Sequence, residues 1–279
     1  MIDAHHHLWK YNPTDYVWMD DRMENLKHDY LPDNLLPQLH NADVSQTVVV
    51  QARQTLDETH WLLDMADRHS FIAGVVGWVD LRSATLDKQL RQLSRHPKFK
   101  GVRHVVHDEP NDQFMALPDF QRGISTLAGY GLSYDLLIYP KHLPLAYKLA
   151  EKFPRVTFII DHIAKPDIKN QIIEPWATEI RHIADLPNVY CKLSGMVTEA
   201  SWKSWRPQDF YPYLSVLWDA FGAERLMTGS DWPVCTLAGN YLNVMRIVPD
   251  FLSYLSSTPQ QRSAVLSGTA RRIYQFDKT

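Results

Sequence analysis

Eight short runs rich in Val, Ile, Leu and Tyr, each followed by a segment of helical periodicity, leave this chain very few folds to adopt. The runs are residues 1–5, 47–51, 72–79, 101–106, 132–138, 156–161, 189–193 and 226–230. Between them, residues 59–66, 86–93, 143–153, 176–184, 211–221 and 241–255 repeat apolar positions every three or four residues. That spacing marks helices that bury one face. Strands alternating with helices pair in parallel through crossovers. Eight such repeats in 279 residues suit a (β/α)8 TIM barrel, with an open doubly wound sheet as the alternative. Glycine contributes only 11 residues and no glycine-rich fingerprint follows a strand, which counts against a dinucleotide fold. No linker or composition break interrupts the chain, so residues 1–279 read as a single domain.

Bulk properties exclude several function classes. A net charge of −3 with scattered Lys and Arg argues against a nucleic-acid partner. No apolar run approaches a membrane span, so no membrane partner is expected. Cys191 and Cys235 are the only cysteines and give no disulfide framework. With Asp3 and three histidines at its start, the chain also lacks a signal peptide's apolar core, and a cytoplasmic location is expected.

The first strand run ends in His5-His6-His7-Leu8-Trp9. Alternation puts His5 and His7 on one face and His6 on the other. Two neighbouring imidazoles suit a metal ion or the polarisation of a carbonyl better than a packed core. Other strand ends carry related chemistry: Asp161-His162, Lys192-Leu193-Ser194 and Ser230-Asp231-Trp232-Pro233. Alternation gives His162 the face of Ile160, with Asp161 opposite. Lys192 and Ser194 share a face, and a lysine there is cheaper turned to a polar mouth or paired with a carboxylate than buried alone. Barrel closure would bring His5, His7, His162 and Asp231 together as a three-imidazole, one-carboxylate set suited to zinc or another divalent ion. Asp231 could equally cap a turn, and His162 could be a hydrogen-bonded structural histidine. Two long connections, residues 8–31 and 196–210, follow strands and bring Trp9 and Trp202 to the mouth.

A series of segments spanning nearly the whole chain resembles the amidohydrolase superfamily, in its "amidohydrolase 2" branch of fuconolactonase-like and other sugar-lactone hydrolases. The segments are Ile2-Asp3-Ala4-His5-His6-His7-Leu8-Trp9, Gly101-Val102-Arg103-His104 with Asp108-Glu109-Pro110, and Asp161-His162-Ile163-Ala164-Lys165-Pro166. Cys191-Lys192-Leu193-Ser194-Gly195-Met196, Gly229-Ser230-Asp231-Trp232-Pro233 and Gly268-Thr269-Ala270 complete the series. The resemblance implies a (β/α)8 barrel with His5, His7, His162 and Asp231 at its mouth. Binuclear members carry a carboxylated lysine on the fourth strand and a histidine on the fifth. Gly101-Val102-Arg103-His104 and Leu136-Leu137-Ile138-Tyr139 stand in those places here, which implies one divalent ion, zinc first, or none.

The expected reaction is hydrolysis of a small-molecule sugar lactone to its open-chain acid. Asp231 would act as general base, with His5, His7 and His162 stabilising the oxyanion. Lys192 and Arg103 would hold hydroxyls or the product carboxylate, and Trp9, Trp202 and Trp232 would stack on the sugar. Arg103 and His104 face oppositely, and Arg103 is the expected pocket residue. Two rivals use the same residues: a metal-dependent decarboxylase of the same superfamily and a non-catalytic protein that binds sugar acids. Oligomeric state is not legible.

Overall fold

The computed structural model describes residues 1–276, and every one of the eight runs becomes a strand within a few residues of its expected limits. They are β1 Ile2–His6, β2 Gln46–Val50, β3 Ile72–Gly77, β4 Phe99–His104, β5 Ser133–Leu136, β6 Phe158–Ile160, β7 Val189–Leu193 and β8 Leu226–Thr228. Each strand pairs in parallel with the next in sequence order. A parallel bridge from His6 to Trp232 joins the ends of the series, with His7 N donating to Trp232 O at 2.6 Å and Asp231 N to His5 O at 2.8 Å. This is the (β/α)8 barrel, not the open sheet.

Helices α1 Pro32–Asn41, α2 Leu56–Arg68, α3 Leu86–Leu93, α4 Pro118–Leu127, α5 Leu143–Lys152, α6 Trp176–Ala184, α7 Tyr211–Phe221 and α8 Tyr241–Tyr254 follow the eight strands in turn. Helix α3 shows why. Leu86, Leu90 and Leu93 recur at spacings of four and three and are buried, while Asp87 and Arg91 pair on the wet face at 2.8 Å. Burying each leucine stabilises the helix by about 1.5–3 kcal/mol, more than an isolated two-turn helix could supply. Two short helices, α9 Pro259–Ser263 and α10 Thr269–Ile273, close the chain.

The barrel interior has an apolar lower tier of Ile2, Ala4, Val48, Val50, Val76, Ile159 and Met227, packed with Ala270 and Tyr274 from the C-terminal helical segment. Above it the inward residues turn polar. The change begins on β1, where a register irregularity against β2 falls between Asp3 and His6. Ala4 and His5 then both face inward, where strict alternation would have sent His5 out with Asp3. Asp3, turned outward, accepts from Ser230 N at 2.8 Å, Ser230 Oγ at 2.6 Å and the Tyr241 hydroxyl of α8 at 2.9 Å. Burial pushes its pKa up to about 6 despite these donors.

Candidate active site

Four residues that the sequence singles out meet at the C-terminal mouth. His5 lies on β1, His7 just beyond it, His162 just past β6 and Asp231 just past β8. Asp231 Oδ1 faces three imidazole nitrogens: His7 Nε2 at 3.3 Å, His162 Nε2 at 3.7 Å and His5 Nε2 at 3.8 Å. The two β1 histidines approach within 3.2 Å, Nε2 to Nε2. Two of the rings turn their other nitrogen to an oxygen, and His5 Nδ1 lies between an oxygen and the Lys192 ammonium, 3.2 Å away. His7 Nδ1 lies 2.8 Å from Val50 O, His162 Nδ1 lies 3.0 Å from Ser194 Oγ, and His5 Nδ1 lies 3.3 Å from Asp161 Oδ1. A proton on Nδ1 of His7 and of His162 leaves those two Nε2 lone pairs aimed at one point beside Asp231, while His5 Nε2 also faces Arg103 Nη1 at 3.3 Å.

Left-handed backbone puts two of these groups in place. Asp231 has φ +57°, a conformation aspartate tolerates better than most residues. His162, Ile163, Ala164 and Lys165 form an entire left-handed turn, with φ of 53°, 52°, 59° and 51°. The Lys165 N–H to His162 O bond at 2.8 Å closes it, and Trp176 Nε1 braces it by donating to Ile163 O at 2.7 Å. This corrects the alternation argument. Ile159 packs in the barrel interior and Ile160 in the outer core, so Asp161 faces inward and a regular strand would have sent His162 out. The reversed turn brings His162 back to the mouth. Gly195 makes room for it: at φ +62°, a Cβ there would lie 2.4 Å from His162 Nδ1.

Directly beneath the histidines lies a tier of buried charge. Lys192 has no solvent exposure, and its Nζ donates to Asp135 and lies 3.0 Å from Asp161 Oδ1 and 3.2 Å from His5 Nδ1. Arg103 Nη1 lies 3.1 Å from Asp161 Oδ2 and 3.3 Å from His5 Nε2, and its Nη2 donates to Gln51 O. The Tyr274 hydroxyl donates to Asp135 Oδ2 at 3.3 Å from below. Lys192 therefore does not face the mouth as expected; its charge is matched by Asp135 and Asp161, the cheaper option once the barrel closes over it. Neither aspartate was singled out as a partner from sequence, although a lysine inside a strand is itself a signal that a carboxylate should be near.

The open cavity above has a volume of about 320 Å³ and is lined by His7, His162, Asp231, Arg103 and Lys165, with Trp9, Trp18 and Trp202 among its walls. Arg103 reaches it; His104 turns away, bonded to Glu109 at 2.6 Å and stacked on Phe114. Trp9 borders the cavity yet is fully buried, its Nε1 donating to His28 O at 3.0 Å, whereas Trp202 is partly exposed. Trp232 is not among the lining residues. Its ring packs edge-on against Tyr30, because its backbone is engaged with β1 at the barrel seam.

Burial sets the charge states. It drives the pKa of His5 and His162 well below the ordinary histidine value, only partly opposed by Asp161 and Asp231 respectively, so both rings are neutral at pH 7. Burial pushes Asp231 up, but His162, His7 and Lys165 outweigh it and its pKa falls below the usual value. Asp161 behaves likewise, with Lys192 and His5 dominating, and is held well below. Neutral imidazoles and an ionised carboxylate are the protonation states a metal ion requires. The set fits one: the ligand atoms of His5, His162 and Asp231 lie within 4.8 Å of one another, and Asp231 Oδ1 has no hydrogen-bond partner among the described residues. Ligands of a tetrahedral zinc lie about 3.3 Å apart; the His7–Asp231 and His5–His7 separations match that spacing, and the His162 and His5 contacts to Asp231 are wider at 3.7 and 3.8 Å.

A parallel barrel with imidazoles and an ionised carboxylate converging at its C-terminal mouth has the architecture of a barrel enzyme. The chain belongs to the amidohydrolase family, whose model matches residues 2–276. It is 39% identical to an L-fucono-1,5-lactonase of Burkholderia multivorans, covering 98% of this chain and 95% of the relative. To an L-fucono-1,5-lactonase of Burkholderia ambifaria it is 37% identical, over 99% and 96%. The crystal structure of a Burkholderia multivorans amidohydrolase with bound zinc superposes with a TM-score of 0.95 at 37% identity, covering 98% of each chain.

Proposed function

We propose that this protein hydrolyses an aldonolactone to the open-chain sugar acid, with Asp231 as general base. The observation that carries the reading is the ionised Asp231 carboxylate, its Oδ1 without a hydrogen-bond partner among the described residues and facing three imidazole edges in an open cavity. Water held beside Asp231 gives up a proton to the carboxylate as its oxygen bonds to the lactone carbonyl carbon. The carbonyl π pair moves onto oxygen. Collapse of that adduct breaks the ring C–O bond, and the proton on Asp231 passes to the departing ring oxygen. The new carboxylic acid then ionises, so each turnover releases one proton to solvent.

One divalent ion, zinc first, would be held by Nε2 of His5, His7 and His162 with Asp231, and when bound it supplies positive charge that polarises a carbonyl and eases deprotonation of water. Arg103, in place of a bridging lysine, favours one ion over two. Trp202, partly exposed in the cavity wall, offers an aromatic face for the sugar ring. Lys192 acts beneath the site by orienting His5, not on the substrate. Near-full-length lactonase relatives favour this reading over a decarboxylase, and retention of the whole imidazole–carboxylate set favours it over a binding protein.

Replacing Asp231 with Asn tests the assignment. Lactone turnover should fall by about 10²–10⁴-fold, the range for loss of a general base. Full activity in a folded, purified Asp231→Asn protein would reject it.

A further inference from the structure

The left-handed turn after β6 does more than aim His162. It places Lys165 one turn later on the same side, and both side chains line the cavity. Such backbone costs on the order of 1–2 kcal/mol per residue for L-amino acids, and the β-branched Ile163 is a genuine outlier there. A chain whose net stability is about 5–15 kcal/mol keeps four such residues in a row only where they position something.

The surroundings of Lys165 separate it from the other cation at the cavity. Arg103 has its Nη groups directed at Asp161, His5 Nε2 and Gln51 O. Lys165 Nζ donates to Glu199 Oε1 at 2.5 Å, and no other acceptor is in hydrogen-bond reach among the described residues. An ammonium has three donors, so two remain for a ligand. The side chain is 16% exposed, with its charge next to the cavity and little bulk water around it. Glu199, itself a cavity residue, fixes the ammonium.

Resting on the lactonase reading, we propose that Lys165 is a catalytic residue whose ammonium binds the oxyanion formed when water adds to the lactone carbonyl, and then the carboxylate of the product. It gives up no proton. Burial lowers its pKa, but Glu199 and Asp231 outweigh burial and hold it above the ordinary lysine value, so the group stays charged throughout. Glu199 is a positioning residue that keeps Nζ at the reacting carbonyl.

The test measures kcat, KM and metal content for Lys165→Met, Lys165→Gln and Lys165→Arg, with inhibition constants for the aldonic acid and for the uncharged 1,5-anhydroalditol. For Met and Gln, kcat should fall about 10²–10³-fold, the effect of removing one oxyanion donor, while KM shifts less than about threefold. Acid affinity should drop at least about tenfold and anhydroalditol affinity should hold, with Arg recovering part of both losses. A fall in kcat below about threefold with unchanged acid affinity would overturn the proposal, as would equal weakening of both ligands. Met and Gln provide two neutral replacements, so failure of one to fold leaves the other to decide. If the wild-type protein opens no lactone, the functional reading fails, and the acid-against-alditol comparison still decides whether Lys165 is the anion-binding group.

Discussion

The barrel carries two tiers of ionisable side chains a few ångströms apart, and they are built on opposite principles. In the lower tier, two cations meet two anions: Lys192 and Arg103 against Asp135 and Asp161, all nearly or wholly buried. In the upper tier, three imidazoles face one carboxylate, and among the described residues no Lys or Arg lies within ion-pair distance of Asp231; its Oδ1, like Asp161 Oδ1 below, accepts no hydrogen bond there. Matched charge in a low-dielectric interior holds geometry. Unmatched lone pairs converging on one point have affinity left for something else. His5 belongs to both tiers, since its Nδ1 faces Asp161 and Lys192 below while its Nε2 faces Asp231 above. The lower tier thereby orients the upper.

The largest expected effect breaks the match in the lower tier. Lys192→Met leaves Asp135 and Asp161 without their shared cation and should destabilise the protein by about 3–5 kcal/mol, measured by urea unfolding. The double variant Lys192→Met with Asp135→Leu should recover much of that loss, since a matched pair exchanged for apolar residues is often neutral. A Lys192→Met protein as stable as wild type would mean that the tier does not function as a charge-matched unit. A smaller change loosens the upper tier alone. Ser194→Ala removes the partner of His162 Nδ1 and should weaken zinc binding about 10–100-fold in a chelator competition, with folding stability little changed. Unchanged zinc affinity would show that the orientation of His162 comes wholly from its backbone turn.

The contrast also explains what was legible in the sequence. Alternating strands and helices gave away the barrel because each strand must cover both faces and each helix only one. His5, His7 and Asp231 could be picked out because strand ends collect at one mouth in this fold. His162 was singled out for the wrong geometric reason: no period-two argument contains a left-handed turn, and Ile163 gives no hint of one. The lower tier was legible only as a cost, a lysine where lysines are expensive. Its partners come from β5 and β6 and, through Tyr274, from the C-terminus, pairings that barrel closure makes and local sequence does not encode. Helices α1 Pro32–Asn41 and α4 Pro118–Leu127 are not among the periodic segments read from the sequence, although each buries one face.

The open upper tier is claimed to be a hydrolytic site for a cyclic sugar ester, and proton release by the wild-type protein on a panel of five- and six-membered aldonolactones measures that most directly. The account predicts stoichiometric release, one proton for each lactone opened, from at least one member of the panel. No proton release from any of them, or carbon dioxide evolution from an aromatic acid instead, would contradict it.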